Sequence, residues 1–261
     1  MDRLKIYSQS DIDNLIIYRD GETKLGEKIQ TISSLEALKS STAKFVLLGI
    51  PDDIGIRANS GIAGASTTWR PALMAFLNTQ SNRFLSGEEI LVLGHFEIEE
   101  PENSTIDGLR KKVSEIDDLV FPVIEKIAAA GKIPIVIGGG HNNAYPMIKG
   151  AAKGLHAAQI IDMPQINCVN LDAHADYRPA EGRHSGNPFR YAEEDGFLQK
   201  YCVIGLQENY LQQNVWMDIV NNPFIDCLTY EDIFIHEKRS FRQAVSHAIS
   251  FTDDNFIGLE L

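Results

Sequence analysis

An Asp-x-His-x-Asp run, Asp172-Ala173-His174-Ala175-Asp176, follows the apolar, strand-like segment Ile166 to Leu171. In extended backbone the side chains at i, i+2 and i+4 share a face, so Asp172, His174 and Asp176 are placed to converge. Upstream, three glycines lead from another apolar run into a histidine, Gly138-Gly139-Gly140-His141. About 30 residues separate the two motifs, the span of one βα unit, which brings successive strand ends to one rim of a parallel sheet. Carboxylate oxygen with neutral imidazole, and no cysteine, suits a borderline-hard divalent ion: manganese, iron or zinc. Because paired carboxylates can bridge, His141, Asp172, His174 and Asp176 suit two adjacent ions sharing a water or hydroxide, a nucleophile toward carbon or phosphorus. Each motif alone has a plainer reading. The first can be a hydrogen-bonded turn that caps the next helix, and the glycines can mark only a tight turn. Their coincidence at neighbouring strand ends points to a metal.

The elements that must position these groups are short β-branched runs alternating with longer amphipathic stretches, the pattern of an α/β domain with a mostly parallel sheet. The predicted strands are Lys44 to Ile50, Ile90 to Leu93, Ile133 to Gly138, Ile166 to Leu171, Tyr201 to Leu206, Phe224 to Leu228 and Phe256 to Leu261. Leu109, Val113, Ile116, Val120, Val123, Ile124 and Ile127 recur at three- and four-residue steps and predict a helix from Ile106 to Ala130. Pro122 lacks a backbone donor, so a break is expected near Phe121-Pro122. Further helices are predicted at Thr68 to Leu77, Asn143 to Gly150, Asn209 to Val220 and Phe241 to Ile249. In such sheets ligands bind beyond the carboxyl ends of the strands. Both motifs fall there, as does Pro51-Asp52-Asp53-Ile54-Gly55. Residues 1–43 read as a polar leader, and 44–261 as the domain.

The chain has 261 residues, 44% of them hydrophobic, enough for one sizeable domain. Its 36 Asp and Glu against 24 Lys and Arg give a net charge of -12, which repels nucleic acid and anionic membranes. Cys168, Cys202 and Cys227 are scattered among apolar neighbours, and no long apolar run or export signal is present, so a reduced, cytoplasmic protein is expected.

Gly138-Gly139-Gly140-His141, Asp172-Ala173-His174-Ala175-Asp176 and His184-Ser185-Gly186-Asn187-Pro188-Phe189 stand in the order and spacing of the ureohydrolase superfamily (arginases, agmatinases, formimidoylglutamases), which the chain resembles. Gly49-Ile50-Pro51-Asp52-Asp53-Ile54-Gly55, with Asn59-Ser60-Gly61 and Gly64-Ala65, resembles that family's first loop. The resemblance implies a three-layer αβα arginase-like fold and two Mn2+ per complete site. By motif, His141 and Asp176 resemble ligands of the first ion, Asp172 the bridging carboxylate and His174 the histidine of the second. Ser185 and Asn187 match substrate-contacting positions, and His184 beside them is a candidate proton carrier, against the alternative of an exposed loop histidine. The implied partners are a small amidine or amino-acid substrate and further copies of the chain, since ureohydrolases commonly form homo-oligomers.

Two departures select a branch. Phe189 stands where arginases carry a proton-shuttling histidine, and Gly140 where they carry an aspartate before His141. Both match formimidoylglutamases, implying hydrolysis of N-formimidoyl-L-glutamate to L-glutamate and formamide in histidine degradation. Agmatinase or guanidino-acid hydrolase is the enzymatic alternative; a metal-poor pseudoenzyme or assembly subunit is the other. A third family motif, an Asp-x-Asp pair, is expected just after Phe256 to Leu261, so the fold is expected to be incomplete at its C-terminus. The 261-residue form should then hold at most one ion tightly and be nearly inactive.

Overall fold

The computed structural model describes residues 3–261. Its strands are β1 (Leu4–Ile6), β2 (Phe45–Ile50), β3 (Ile90–Phe96), β4 (Ile133–Gly138), β5 (Ile166–Leu171), β6 (Leu198–Leu206), β7 (Ile225–Thr229) and β8 (Ile257–Glu260). The helices are α1 (Gln9–Asp13), α2 (Ile54–Ala58), α3 (Trp69–Leu77), α4 (Ile106–Ala129), α5 (Ala144–Ala157), α6 (Pro188–Glu194), α7 (Gln213–Asn221) and α8 (Phe241–Thr252). Two four-stranded sheets form, ordered β1-β3-β2-β4 and β7-β6-β5-β8. β1 runs antiparallel to β3; the other pairings are parallel.

Both faces of each sheet are covered, which makes three layers. Val46, Leu48 and Ile50 of β2 pack with Leu109, Val113 and Ile116 of α4, whereas Leu47 packs with Trp69 and Leu73 of α3. In the second sheet Cys168 faces Ile148 and Phe189, and Val169 faces Ala244 and Ala248 of α8. Strands buried on both faces read as continuous apolar runs, which is why the sequence signalled them without alternation. The polar leader belongs to this body: β1 extends the first sheet, and Ile12, Ile16, Leu25 and Leu38 are buried. A strand of three residues is too short to show a period.

The expected break at Pro122 does not occur, since α4 runs unbroken through 24 residues. Proline removes one backbone bond, but the packing of α4 on α5 keeps the helix continuous. A Cβ on Gly150 would lie 2.6 Å from both the Phe121 carbonyl oxygen and Ile124, and one on Gly154 would lie 2.4 Å from the Glu125 carbonyl oxygen. The two helices therefore meet backbone to backbone along the stretch containing Pro122, joining the halves of the molecule.

β4 and β8 are edge strands that carry exposed apolar side chains, Ile133 and Ile135 on one and Ile257 and Leu259, 66% exposed, on the other. Unpaired apolar edges recruit strands from other chains. The isolated chain is expected to self-associate at micromolar concentration, and Ile133→Lys with Leu259→Lys to shift it to monomer in sedimentation velocity. An unchanged size distribution would show that these edges do not drive association.

Candidate metal centre

The centre lies at the carboxyl ends of β4 and β5, so each sheet supplies part of it. After β4 the chain passes Gly139 and Gly140 into a 3-10 turn, His141–Asn143. A Cβ on Gly139 would sit 1.8 Å from the Asp52 carbonyl oxygen, so only glycine allows the turn to lie this close to the loop after β2. Asn143 Nδ2 donates to Asp52 Oδ2 at 2.9 Å and to the Gly140 carbonyl at 3.0 Å, which pins the turn. Asp52 is thus a support, buried and pushed above the usual carboxylate range by that burial despite the hydrogen bonds from Asn143 and the Ile54 amide.

The Asp-x-His-x-Asp run departs from the extended geometry expected of it. β5 ends at Leu171, and the Asp172 side chain accepts from the His174 amide at 3.0 Å, the local turn that short carboxylates favour. Asp176 then adopts a left-handed φ of 44°. Its neighbour Ala175 is held through its carbonyl by the Tyr201 hydroxyl at 2.9 Å, which itself accepts from Asn170 Nδ2 at 3.0 Å. Phe189 stacks on Tyr201 at 4.1 Å and presents its edge to the His141 ring at 5.4 Å.

His141 Nδ1 lies 2.8 Å from Asp176 Oδ2 and 3.2 Å from Asp172 Oδ2. The other oxygen of Asp172, Oδ1, lies 3.4 Å from His174 Nδ1. One carboxylate therefore faces both histidines, one oxygen to each. His174, half exposed, lies against the Tyr210 ring at 4.6 Å. Ligand atoms of His141, Asp172 and Asp176 fall within 4.8 Å of one another.

The electrostatics are those of a site short of positive charge. Burial works to lower the His141 pKa, but hydrogen bonding to Asp172 and Asp176 overrides it and raises it to about 10. Burial works to raise Asp172, but His141 and the His174 amide bring it down to about 2. For Asp176 burial wins, and its pKa is raised. Glu260, at the end of β8 and paired in register with Asn170, is pushed up to about 7 by burial, with His141 pulling against it. This acid-rich, thiol-free donor set fits a borderline-hard divalent ion: manganese, iron or zinc. The sequence reading missed Glu260. Its signal was a single carboxylate at the carboxyl end of an apolar strand.

The loop that carries His184, Ser185 and Asn187 is built inward. His184 is fully buried, not an exposed loop histidine: Nδ1 accepts from the Gly186 amide at 3.1 Å and Nε2 faces Glu181 at 3.3 Å. Burial, with Arg110 and Arg178 nearby, lowers its pKa to about 4, so it is neutral at pH 7. Asn187 spends its side chain on the loop, donating to the Pro179 and Gly182 carbonyls and accepting from Arg183 and the His184 amide. Ser185 is partly exposed, and its hydroxyl accepts from Asn59 Nδ2 at 3.4 Å, leaving its own proton free to donate.

The model of the arginase family matches residues 43–255. The chain belongs to the arginase family. Among curated members of that family, the formimidoylglutamase of Aromatoleum aromaticum is 35% identical over 167 residues, which cover 62% of this chain and 47% of that protein. The Streptococcus pyogenes serotype M3 formimidoylglutamase is 28% identical over 198 residues, 73% of this chain and 55% of that one. The chain thus spans about half the length of the curated relatives it matches. The solved Bacillus subtilis formimidoylglutamase superposes with a TM-score of 0.70 at 18% identity, covering 93% of this chain and 70% of the other. A Trypanosoma cruzi formiminoglutamase solved with Mn2+ superposes at 0.61 and 24% identity, covering 88% and 72%. At these identities the superpositions bear out the expected arginase-like α/β fold.

Proposed function

We propose that this chain supplies the ligands of a binuclear manganese site in a hydrolase of linear amidines, with N-formimidoyl-L-glutamate as the substrate. The observation that carries this reading is the division of the Asp172 carboxylate between His141 and His174. In this assignment His141 and Asp176 would hold one ion and His174 the other, with Asp172 shared between them; Glu260 is a further carboxylate at the same rim. Manganese held there would supply Lewis acidity, lowering the pKa of water and offsetting the charge that develops during attack on the substrate carbon. The net reaction adds water across the bond between the formimino carbon and the glutamate nitrogen: oxygen goes to the carbon, a proton goes to the nitrogen, and L-glutamate and formamide are released. Formimidoylglutamases are also what the curated relatives are named.

The residues around the centre contribute position. Ser185 offers a hydroxyl proton to the amino-acid end of the substrate. His184 and Asn187, both buried, shape the loop that presents Ser185, so proton transfer is not assigned to His184. Phe189 keeps water off one side of His141 and provides no proton carrier. Cys168 and Cys202, buried and unpaired, support a reduced, cytoplasmic setting, and the proposed substrate places the reaction in histidine degradation.

The test is metal content by mass spectrometry after manganese loading, followed by assay of formamide and glutamate against urea. One tightly held ion per 261-residue chain is expected, because His174 has only a share of Asp172 beside it. Formamide, not urea, is the expected product of turnover with N-formimidoyl-L-glutamate. Urea release from agmatine would move the assignment to agmatinase, and metal-free protein without turnover would leave an assembly role.

A further inference from the structure

Behind the metal centre the hydrogen bonds converge on Arg183, whose side chain is only 5% exposed. Its guanidinium grips Asp117 of α4 through Nε at 2.8 Å and one terminal nitrogen at 3.3 Å. That same terminal nitrogen donates to the Asn142 carbonyl at 2.8 Å, and the other donates to Asn187 Oδ1 at 3.1 Å. The Tyr145 and Tyr191 rings lie against the group, 4.6 and 5.0 Å from its central carbon. A single side chain thus joins α4, α5, α6, the His141 turn and the loop of Ser185.

A buried ion pair is weak evidence for stability, because desolvation offsets most of the attraction. Burial, helped by the Asp118 charge, lifts Asp117 to about 6 against the pull of Arg183, so this pair is costly to keep. An apolar pair would fill the same space between α4 and the tyrosines at less cost. What an apolar pair could not do is reach the Asn142 carbonyl and the Asn187 amide together. Only a planar fork with several fixed donors spans those acceptors, and an ammonium does not.

Asn142 directly follows His141. On its far side the turn is tied to Asp52 through Asn143, and on its near side to Arg183, so the peptide carrying the His141 ring is suspended between two buried anchors. A metal ligand must be held within about 0.5 Å of its productive position, and the groups behind it provide that. We propose that Arg183 is a positioning residue of the metal centre, fixing the His141 turn and the substrate loop in one register through the Asn142 carbonyl and the Asn187 side chain. This role rests on reading His141 as a manganese ligand.

The test compares Arg183→Lys with Val113→Ala, a cavity variant in the remote core of α4. Mn2+ affinity is measured by calorimetry, the Mn2+ signal by electron paramagnetic resonance, and folding by circular dichroism. Arg183→Lys is expected to bind Mn2+ about 10- to 100-fold more weakly, the range for removing a group that orients a ligand, with a changed line shape. Val113→Ala is expected to lower the melting midpoint and leave affinity and line shape unaltered. Should Arg183→Lys not fold, Asp117→Asn takes its place. That variant loses the ion pair, keeps the bonds to Asn142 and Asn187, and is expected to be less stable with near-normal affinity. Wild-type affinity in Arg183→Lys, or affinity that falls in step with stability across the variants, overturns the positioning role while leaving the metal assignment intact. A wild-type chain that takes up no Mn2+ removes the metal assignment and this role with it.

Discussion

Asp172→Asn is expected to lower the Mn2+ affinity of this chain by at least about 100-fold, the upper end of what losing a mere supporting group costs. The substitution preserves shape and removes charge. Asp172 is the group that both histidines face: Oδ2 toward His141 at 3.2 Å and Oδ1 toward His174 at 3.4 Å. Its depressed pKa, about 2, shows how strongly the site favours the anion there. An asparagine offers one neutral oxygen, so one histidine position keeps an uncharged oxygen in place of the carboxylate and the other loses its Asp172 oxygen altogether. The fold should survive, because the oxygen of asparagine can still accept from the His174 amide in the turn. Calorimetric titration with Mn2+, backed by circular dichroism of the metal-free variant, decides the matter. Native-like binding in a folded Asp172→Asn chain would sink the bridging assignment and, with it, the binuclear reading.

How much of this centre could be read from sequence depends on the range over which each residue acts. The metal-facing groups were legible because their chemistry is local: two motifs at the carboxyl ends of successive strands, one βα unit apart, fall on one rim, even though β4 and β5 lie in different sheets. Their geometry was less so. Convergence was expected from extended backbone, whereas it arises from a side-chain turn at Asp172 and a left-handed Asp176 after the strand has ended. The double-faced strands and the helix from Ile106 were legible from hydrophobic pattern; the passage of α4 through Pro122 was not, because it depends on α5 packing through Gly150 and Gly154. His184 and Asn187 show the same limit. Their residue types suit a substrate loop, but burial and inward hydrogen bonds are set by partners as distant in sequence as Asp117 and Asn142, through Arg183. Arg183 itself carries no motif. A lone arginine in a loop reads as a solvated charge until the fold supplies its acceptors.

The affinity for Mn2+ is expected to rise about tenfold per pH unit between pH 7 and 9, with one proton released per ion bound. Metal binding needs a neutral imidazole, and His141 is held protonated up to about 10 by Asp172 and Asp176 in spite of its burial. An ordinary histidine, titrating near 6.5, would give an affinity that levels off above pH 7. Glu260, with its pKa pushed up to about 7, steepens the dependence below pH 7 if it also meets the ion. Stability of the metal-free chain should move the opposite way. A His141 pKa raised in the fold contributes stability that is fully present below about 6.5 and lost as the pH rises toward 10. His184 acts in the reverse sense, but only as the pH falls from about 6.5 toward 4, outside this window. Melting midpoints from pH 7 to 9, recorded without metal and with Mn2+ under nitrogen, should therefore diverge: falling in the first series, rising relative to it in the second. The size of the gap reports how firmly the two carboxylates hold the proton that the ion must displace. A constant gap across the range would mean that His141 is already neutral at pH 7, and that the site's surplus negative charge is balanced elsewhere.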